Sequence, residues 1–315
     1  MTLLEEYRAS LKSMDTEEHI DLFFYRPLGF AWAKLFARLG VTPNAVTIAS
    51  IFLGVAGGIL LYPIVPAWMN YLGIFLIIWA NTYDSADGQL ARLTKQYSRL
   101  GRILDGLSGD FWFVAIYFAL AFREVHFGDA LAGNFFINHP VPLWVLAVVA
   151  GICHAKQAAS ADYYRQFHLY FLKGSEGSEL DTAAPLKEAA KNTPWKGNFW
   201  KKITMLVYAN YTAQQEAFTP NMQRLREALH NRYGDNEIPQ SFRDRFRAAS
   251  LPLMKYTNML SFNTRIIAMF ISVIINMPWL YFAFEIIVLN AMLVYMIACH
   301  ERFCKRFTNE LRQQD

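Results

Sequence analysis

Six stretches of this chain approach or exceed the roughly 20 apolar residues that an α-helix needs to cross the hydrocarbon core of a bilayer. No other feature restricts the fold as strongly. In hydrocarbon every backbone amide must be satisfied by the chain itself, and such segments do so as helices. They run from about Val46 to Val65, Tyr71 to Leu90, Gly101 to Phe122, Val141 to Phe171, Ser261 to Asn276 and Trp279 to Cys299. The fourth continues as a polar helix, the fifth is short, and the second and third carry carboxylates. The first 17 residues are charged and lack an apolar core, so no cleavable signal peptide is expected. Only 18% of the residues are charged, which excludes a disordered or nucleic-acid-packaging protein. Cys153, Cys299 and Cys304 are too few and too scattered for a disulfide framework or a zinc cluster.

Lysine and arginine placement sets the orientation. Residues 1–42 hold five, residues 91–102 four, residues 155–258 fifteen, and the tail after His300 four. The opposite loops are nearly bare: Pro63–Asn70 and Met277–Pro278 have none, and Arg123–His139 has one. Both termini are therefore expected in the cytoplasm, and the net charge of +4 is the sum of a one-sided distribution. Residues 18–40 set Phe30, Trp32, Leu35 and Phe36 beside Lys34 and Arg38. That pattern predicts an amphipathic helix lying in the interface, the alternative being a packed helix of a soluble cap. Residues 172–258 are polar, with a loop over Gly174–Ser178 and helical stretches over Phe218–Asn231 and Ser241–Tyr256.

The expected fold is thus an all-α integral membrane protein. It has six transmembrane helices, an N-terminal interfacial amphipathic helix, and a cytoplasmic helical insertion between helices 4 and 5. The divisions fall at 1–42, the cytoplasmic N-terminus; 43–171, the first four spans; 172–258, the insertion; and 259–315, the last two spans and tail.

An ionisable residue inside a spanning segment is costly and marks function. Asp84 and Asp87, three apart, share one helix face near the end of the second span. Asp105 and Asp110 open the third span, just across a short turn. An antiparallel pair of helices brings these carboxylates to one level, where mutual repulsion calls for a cation. Oxygen-only ligands favour a hard ion, Mg²⁺, with Mn²⁺ or Ca²⁺ as alternatives. Such ions grip phosphates. Other readings are a proton or cation pathway, or pairing with Arg92 and Arg102. Gly88, Ala91 and Gly101 lie between the aspartates and leave room for a bulky ligand, and Arg92 is placed to meet a phosphate.

Read together, Asp84-x2-Asp87-Gly88-x2-Ala91-Arg92-x8-Gly101-x3-Asp105 resembles the signature of the CDP-alcohol phosphotransferases, the CDP-alcohol phosphatidyltransferase family. Thr42-Pro43-Asn44-x2-Thr47 is similar to the family's segment entering the first span. The resemblance covers roughly residues 18–171. It implies a membrane-bound transferase of lipid synthesis that binds a CDP-linked donor and two divalent cations at the cytoplasmic edge. Such an enzyme passes the substituted phosphate to an acceptor hydroxyl and releases CMP. Carried over by position, Asp84, Asp87 and Asp105 are metal ligands. Asn44, Thr47, Asp84, Gly88, Ala91, Arg92 and Gly101 line the CDP site. The family's fourth aspartate, a metal ligand and the general base, falls on Gly109. Asp110 stands next to it, about 100° round an ideal helix. A π-bulge, tolerated by Gly106 and Gly109, would swing Asp110 into that place as ligand and base.

Acceptor recognition is expected from the cytoplasmic half of the fourth span and beyond. Lys156 and Arg165, with Arg265 in the fifth span, are candidates for an acceptor phosphate. Each is also placed to snorkel to the headgroups instead. Glu285 is either an interhelical bonding group or a substrate contact. The partners implied are a CDP-linked donor and an alcohol acceptor, at least one of them a lipid, with membrane lipids around the chain. A homodimer fits the family, and no nucleic acid is expected. Two other classes stay open: a non-catalytic nucleotide- or lipid-binding relative, because of Gly109, and a transporter, because of the intramembrane acids.

Overall fold

The computed structural model of the protein describes residues 2–11, 13–173, 180–234 and 238–313, so the expected loop over Gly174–Ser178 lies outside the described residues. Every regular element among them is a helix. The N-terminal part holds α1 (Leu3–Ser10), a π turn over Asp21–Tyr25, α2 (Arg26–Leu39), α3 (Pro43–Ile59), α4 (Trp68–Thr94), α5 (Arg99–Phe127) and the short α6 (Phe135–Asn138). The long α7 (Pro140–Lys173) follows, then α8 (Ala183–Asn192), α9 (Phe199–Ala217), α10 (Pro220–Tyr233), α11 (Gln240–Ser250) and α12 (Met254–Met259). The chain closes with α13 (Phe262–Ile274), α14 (Trp279–Phe284), a π segment over Glu285–Leu289 and α15 (Asn290–Gln313).

The chain divides into two compact units, Met1–Cys153 with Asn263–Ile287, and His154–Phe262 with Val288–Asp315. In the first unit α3 packs along both α4 and α5. Small residues make this possible: a Cβ on Gly57 would stand 2.8 Å from the Gly73 carbonyl oxygen, so the α3 and α4 backbones touch. Helix boundaries follow the local sequence. Gly40 takes the left-handed conformation (φ 70°) that ends α2, while the Val41 amide donates to the Phe36 carbonyl at 3.0 Å. Thr42 then caps α3, with Pro43 in its first turn. Lys95, at φ 55°, ends α4, and Ser98 caps α5 through the Gly101 amide at 2.8 Å. The short turn over residues 95–98 thus returns α5 alongside the end of α4.

At the other end of this bundle Arg123 is buried. Its guanidinium donates to the Leu61 carbonyl at 2.8 Å, Asn70 Oδ1 at 2.9 Å and Asn276 Oδ1 at 2.8 Å. The single basic residue counted to a bare loop is therefore an internal tie between helix ends, not a surface charge.

Among the described residues four helices are long and apolar enough to cross a membrane: Leu104–Phe127, Pro140–Leu172, Gln240–Ile274 and Trp279–Gln313. That is fewer than the six expected from the sequence. The apolar helix α3 has 17 residues and is short for a span. Although α4 has 27, its last turns carry Asn81, Thr82, Asp84, Ser85, Asp87 and Gln89, which dilute its hydropathy. On α2, Phe30 and Ala33 are buried, and Ala33 packs with Val46, Ala86 and Leu90. Leu28, Leu35 and Leu39 on the same helix are exposed, so α2 has one apolar face against protein and another facing out.

In the second unit the insertion helices pack on the chain's own long helices. Phe171 stacks on Phe246 at 3.8 Å between centroids, and Phe307 joins them. The Glu301 carboxylate on α15 accepts from the Asn221 and Met222 amides at 2.6 and 3.2 Å, which satisfies the free amides at the start of α10.

Candidate active site

The carboxylates arrive from two helices. Asp84 and Asp87 lie on one face of α4, and Asp105 lies in the second turn of α5. Each offers an oxygen, and these oxygens lie within 4.8 Å of one another. Asp87 is buried, Asp84 half-buried and Asp105 exposed, so the cluster is rooted in the bundle and open on one side. The oxygen-only donor set fits a hard divalent cation. Among the described residues this is the one such acidic or His/Cys group.

Neutral hydroxyls hold two of the three in place. Thr47 Oγ1 on α3 donates to Asp87 Oδ2. Ser108 Oγ on α5 donates to Asp84 Oδ1 at 2.6 Å and lies 2.8 Å from the Asp105 carbonyl. A hydroxyl partner leaves the carboxylate's charge for a cation, where a lysine or arginine would have neutralised it.

The remaining motif residues form a rim. A Cβ on Gly101 would stand 2.5 Å from Asn44 Oδ1, so the glycine is what lets α3 and α5 meet there. Ser98 Oγ donates to the same oxygen at 3.1 Å. Gly88 and Ala91 are half-buried on α4. A Cβ on Gly88 would stand 3.4 Å from Arg92 Nη1, so the guanidinium lies across the glycine. Arg92 Nε donates to the Ser10 carbonyl, and Gln89 Nε2 donates to Ser10 Oγ at 3.1 Å. Burial, then the charge of Arg26, lowers the Arg92 pKa from its ordinary value. Arg26 is anchored to Glu17 at 2.9 Å and donates to Ser85 Oγ at 3.2 Å.

Asp110 stands apart from this group. Its side chain is exposed, and α5 runs as a regular α-helix through residues 99–127. The π turn anticipated between Asp105 and Asp110 is absent. No side chain packs within 4 Å of where a Cβ on Gly106 or Gly109 would be, so nothing there forces an extra residue into the turn. The π turns lie instead at Asp21–Tyr25 and Glu285–Leu289.

The candidate acceptor residues are dispersed. Lys156 is exposed, with its ammonium over the Phe218 ring at 6.0 Å. Arg165 donates to Ser261 Oγ at 2.8 Å and Asn258 Oδ1 at 3.3 Å. Arg265 is only 1% exposed and forms an ion pair with Glu285, whose second oxygen accepts from Tyr281 Oη at 2.6 Å. In this structure its guanidinium meets that carboxylate. Glu285 is accordingly an interhelical bonding group.

Sequence reasoning missed Ser108, Ser98, Ser10 and Arg26, and assigned Thr47 to the nucleotide only. Ser108 alone had a readable signal, since it lies three residues after Asp105 on the same helix face.

A family model described as CDP-alcohol phosphatidyltransferase matches residues 40–160. That stretch contains Asp84, Asp87, Asp105, Thr47 and Ser108. No curated relative and no solved structure matches the chain.

Proposed function

We propose a specific reaction for the chain, starting from the match of residues 40–160 to the CDP-alcohol phosphatidyltransferase family model. It transfers a substituted phosphate from a CDP-linked donor to an acceptor hydroxyl, with release of CMP, in membrane lipid synthesis. The observation that carries the reading is the cluster of Asp84, Asp87 and Asp105, with carboxylate oxygens within 4.8 Å of one another. In this reading α3 and α4 are two further membrane crossings, and the site faces the cytoplasm with both termini.

Asp84, Asp87 and Asp105 would hold two divalent cations, Mg²⁺ or Mn²⁺. When bound, these supply Lewis-acid stabilisation of the phosphoryl oxygens and of the CMP leaving group. Thr47 and Ser108 orient Asp87 and Asp84 toward them. Asn44, Gly88, Ala91, Arg92 and Gly101 shape the CDP pocket. The glycines admit the nucleotide close to the helix backbones, and Arg92 meets a phosphate oxygen by charge-assisted hydrogen bonding. Asp110, exposed and outside the cluster, accepts the proton from the attacking hydroxyl. Lys156 and Arg165 are kept for the acceptor. The chain's own contribution is positioning and fixed electrostatics.

The test is a screen of CDP-linked donors against alcohol acceptors with the purified chain and Mg²⁺ or Mn²⁺, read by mass spectrometry of the lipid product. A metal-dependent product with stoichiometric CMP is expected. Donor binding without any product would favour the alternative suggested by Gly109, a relative that binds nucleotide and does not turn over.

A further inference from the structure

Helix α9 is polar on its inner side and apolar on its outer side. Its buried positions are Lys202, Ala209, Thr212 and Gln215. Trp200, Val207 and Tyr211, at i, i+7 and i+11, are exposed, Trp200 by 76%, and Phe218 just beyond the helix extends the stripe. Trp195, in the turn before α9, is also exposed. A helix on a water-facing surface shows the opposite arrangement. The turn itself is firmly built: Lys202 Nζ donates to the Thr193 carbonyl at 2.6 Å and lies 4.9 Å from the Trp195 ring centroid.

Between the turn before α9 and Gln215 the charges of the chain have one sign, and Glu216 borders the Phe218 end of the stripe. From residue 189 to residue 215 the chain has four lysines, Lys191, Lys196, Lys201 and Lys202, and no aspartate or glutamate. Lys191, Lys196 and Lys201 are exposed. Exposed tryptophan and aliphatic side chains among exposed lysines are complementary to an anionic lipid surface, where rings settle at headgroup depth and ammonium groups meet phosphates. The end of α9 is also tied to a helix long and apolar enough to span. Gln215 Nε2 donates to the Ala159 carbonyl of α7 at 2.8 Å. This follows directly on the α7 stripe Val141, Val145, Val148 and Ile152, whose side chains are exposed. The C-terminal end of the α9 stripe therefore lies beside the polar half of α7, where Ala159 is found.

We propose that α9 and the turn before it lie in the membrane interface. Trp195, Trp200, Val207 and Tyr211 enter the boundary of the acyl chains, and Lys191, Lys196 and Lys201 take the phosphates of anionic lipids. The insertion after α7 is then a surface-anchored part of the enzyme, independently of which reaction the aspartates perform.

Nitroxide labels report this directly in the full chain, placed one chain per nanodisc of mixed phosphatidylcholine and phosphatidylglycerol. Labels go on W200C and V207C, with E188C on α8 as the exposed reference, in a C153S/C299S background. The ratio of collisions with oxygen to collisions with a water-soluble nickel chelate should be about 3-fold or more higher at 200 and 207 than at 188. Ratios equal to that at 188 would place α9 in water and overturn the proposal. Low access to both reagents would overturn it too, by showing a face covered by protein. In K191Q/K196Q/K201Q the ratios should fall to those measured in phosphatidylcholine alone. Ratios that ignore both the lysines and the lipid charge would remove the anionic headgroup from the account.

Discussion

At the residue scale, the site depends on which groups neutralise the carboxylates and which leave them charged. Ser108 and Thr47 donate single hydroxyl bonds to Asp84 and Asp87. A partner of this kind orients a ligand without competing for its charge. Ser108→Ala should therefore weaken Mn²⁺ affinity about 10- to 100-fold while leaving the fold intact, as read by the Mn²⁺ paramagnetic resonance signal and by helical circular dichroism. Asp110→Asn tests a different role. As the proton acceptor, Asp110 should cost about 10²- to 10⁴-fold in kcat when neutralised, with metal affinity unchanged. Turnover at the unmodified rate would transfer that role to Asp105. Asp84, Asp87 and Asp105 were legible in the sequence because acids in a span are rare, and the spacing of Asp84 and Asp87 fixes a shared face. Ser108 was less visible, because a serine in a helix most often bonds its own backbone.

At the element scale, helices α3, α4 and α5 were readable from their apolar runs, while the exact ends, set by Gly40, Thr42 and Ser98, came with the structure. The number of spans was harder to read. Apolar length identifies a helix that faces lipid, whereas α4 spends its last turns on the polar residues of the site and α3 is short. The regular course of α5 past Gly106 and Gly109 was not readable either, since glycine permits a bulge without demanding one. The packing of α3 on α4 makes its own prediction. In Gly57→Val the new side chain meets Gly73 O and Ile77 Cγ1, both 2.8 Å from the Cβ position. Overpacking of this kind costs about 1–3 kcal/mol. The apparent Tm in detergent should fall, and with it activity, because α3 carries Asn44 and Thr47 to the site.

At the scale of the whole molecule, two buried arginines stand outside the basic cytoplasmic segments, and both are internal ties. Arg123 joins helix ends through uncharged acceptors, and Arg265 pairs with Glu285. Breaking the second by Arg265→Ala strands a buried carboxylate and should cost about 3–5 kcal/mol, whereas Arg265→Met with Glu285→Leu should recover most of that stability. A double variant no more stable than the single would show that the pair acts through other partners. The central claim is that Asp84, Asp87 and Asp105 form one metal-dependent phosphotransfer site. Its most direct test is CMP release from a CDP-alcohol by the purified chain in nanodiscs, with and without Mn²⁺, beside Asp105→Ala. The account predicts release that requires the metal and disappears in the variant; release that persists without metal, or in Asp105→Ala, would contradict it.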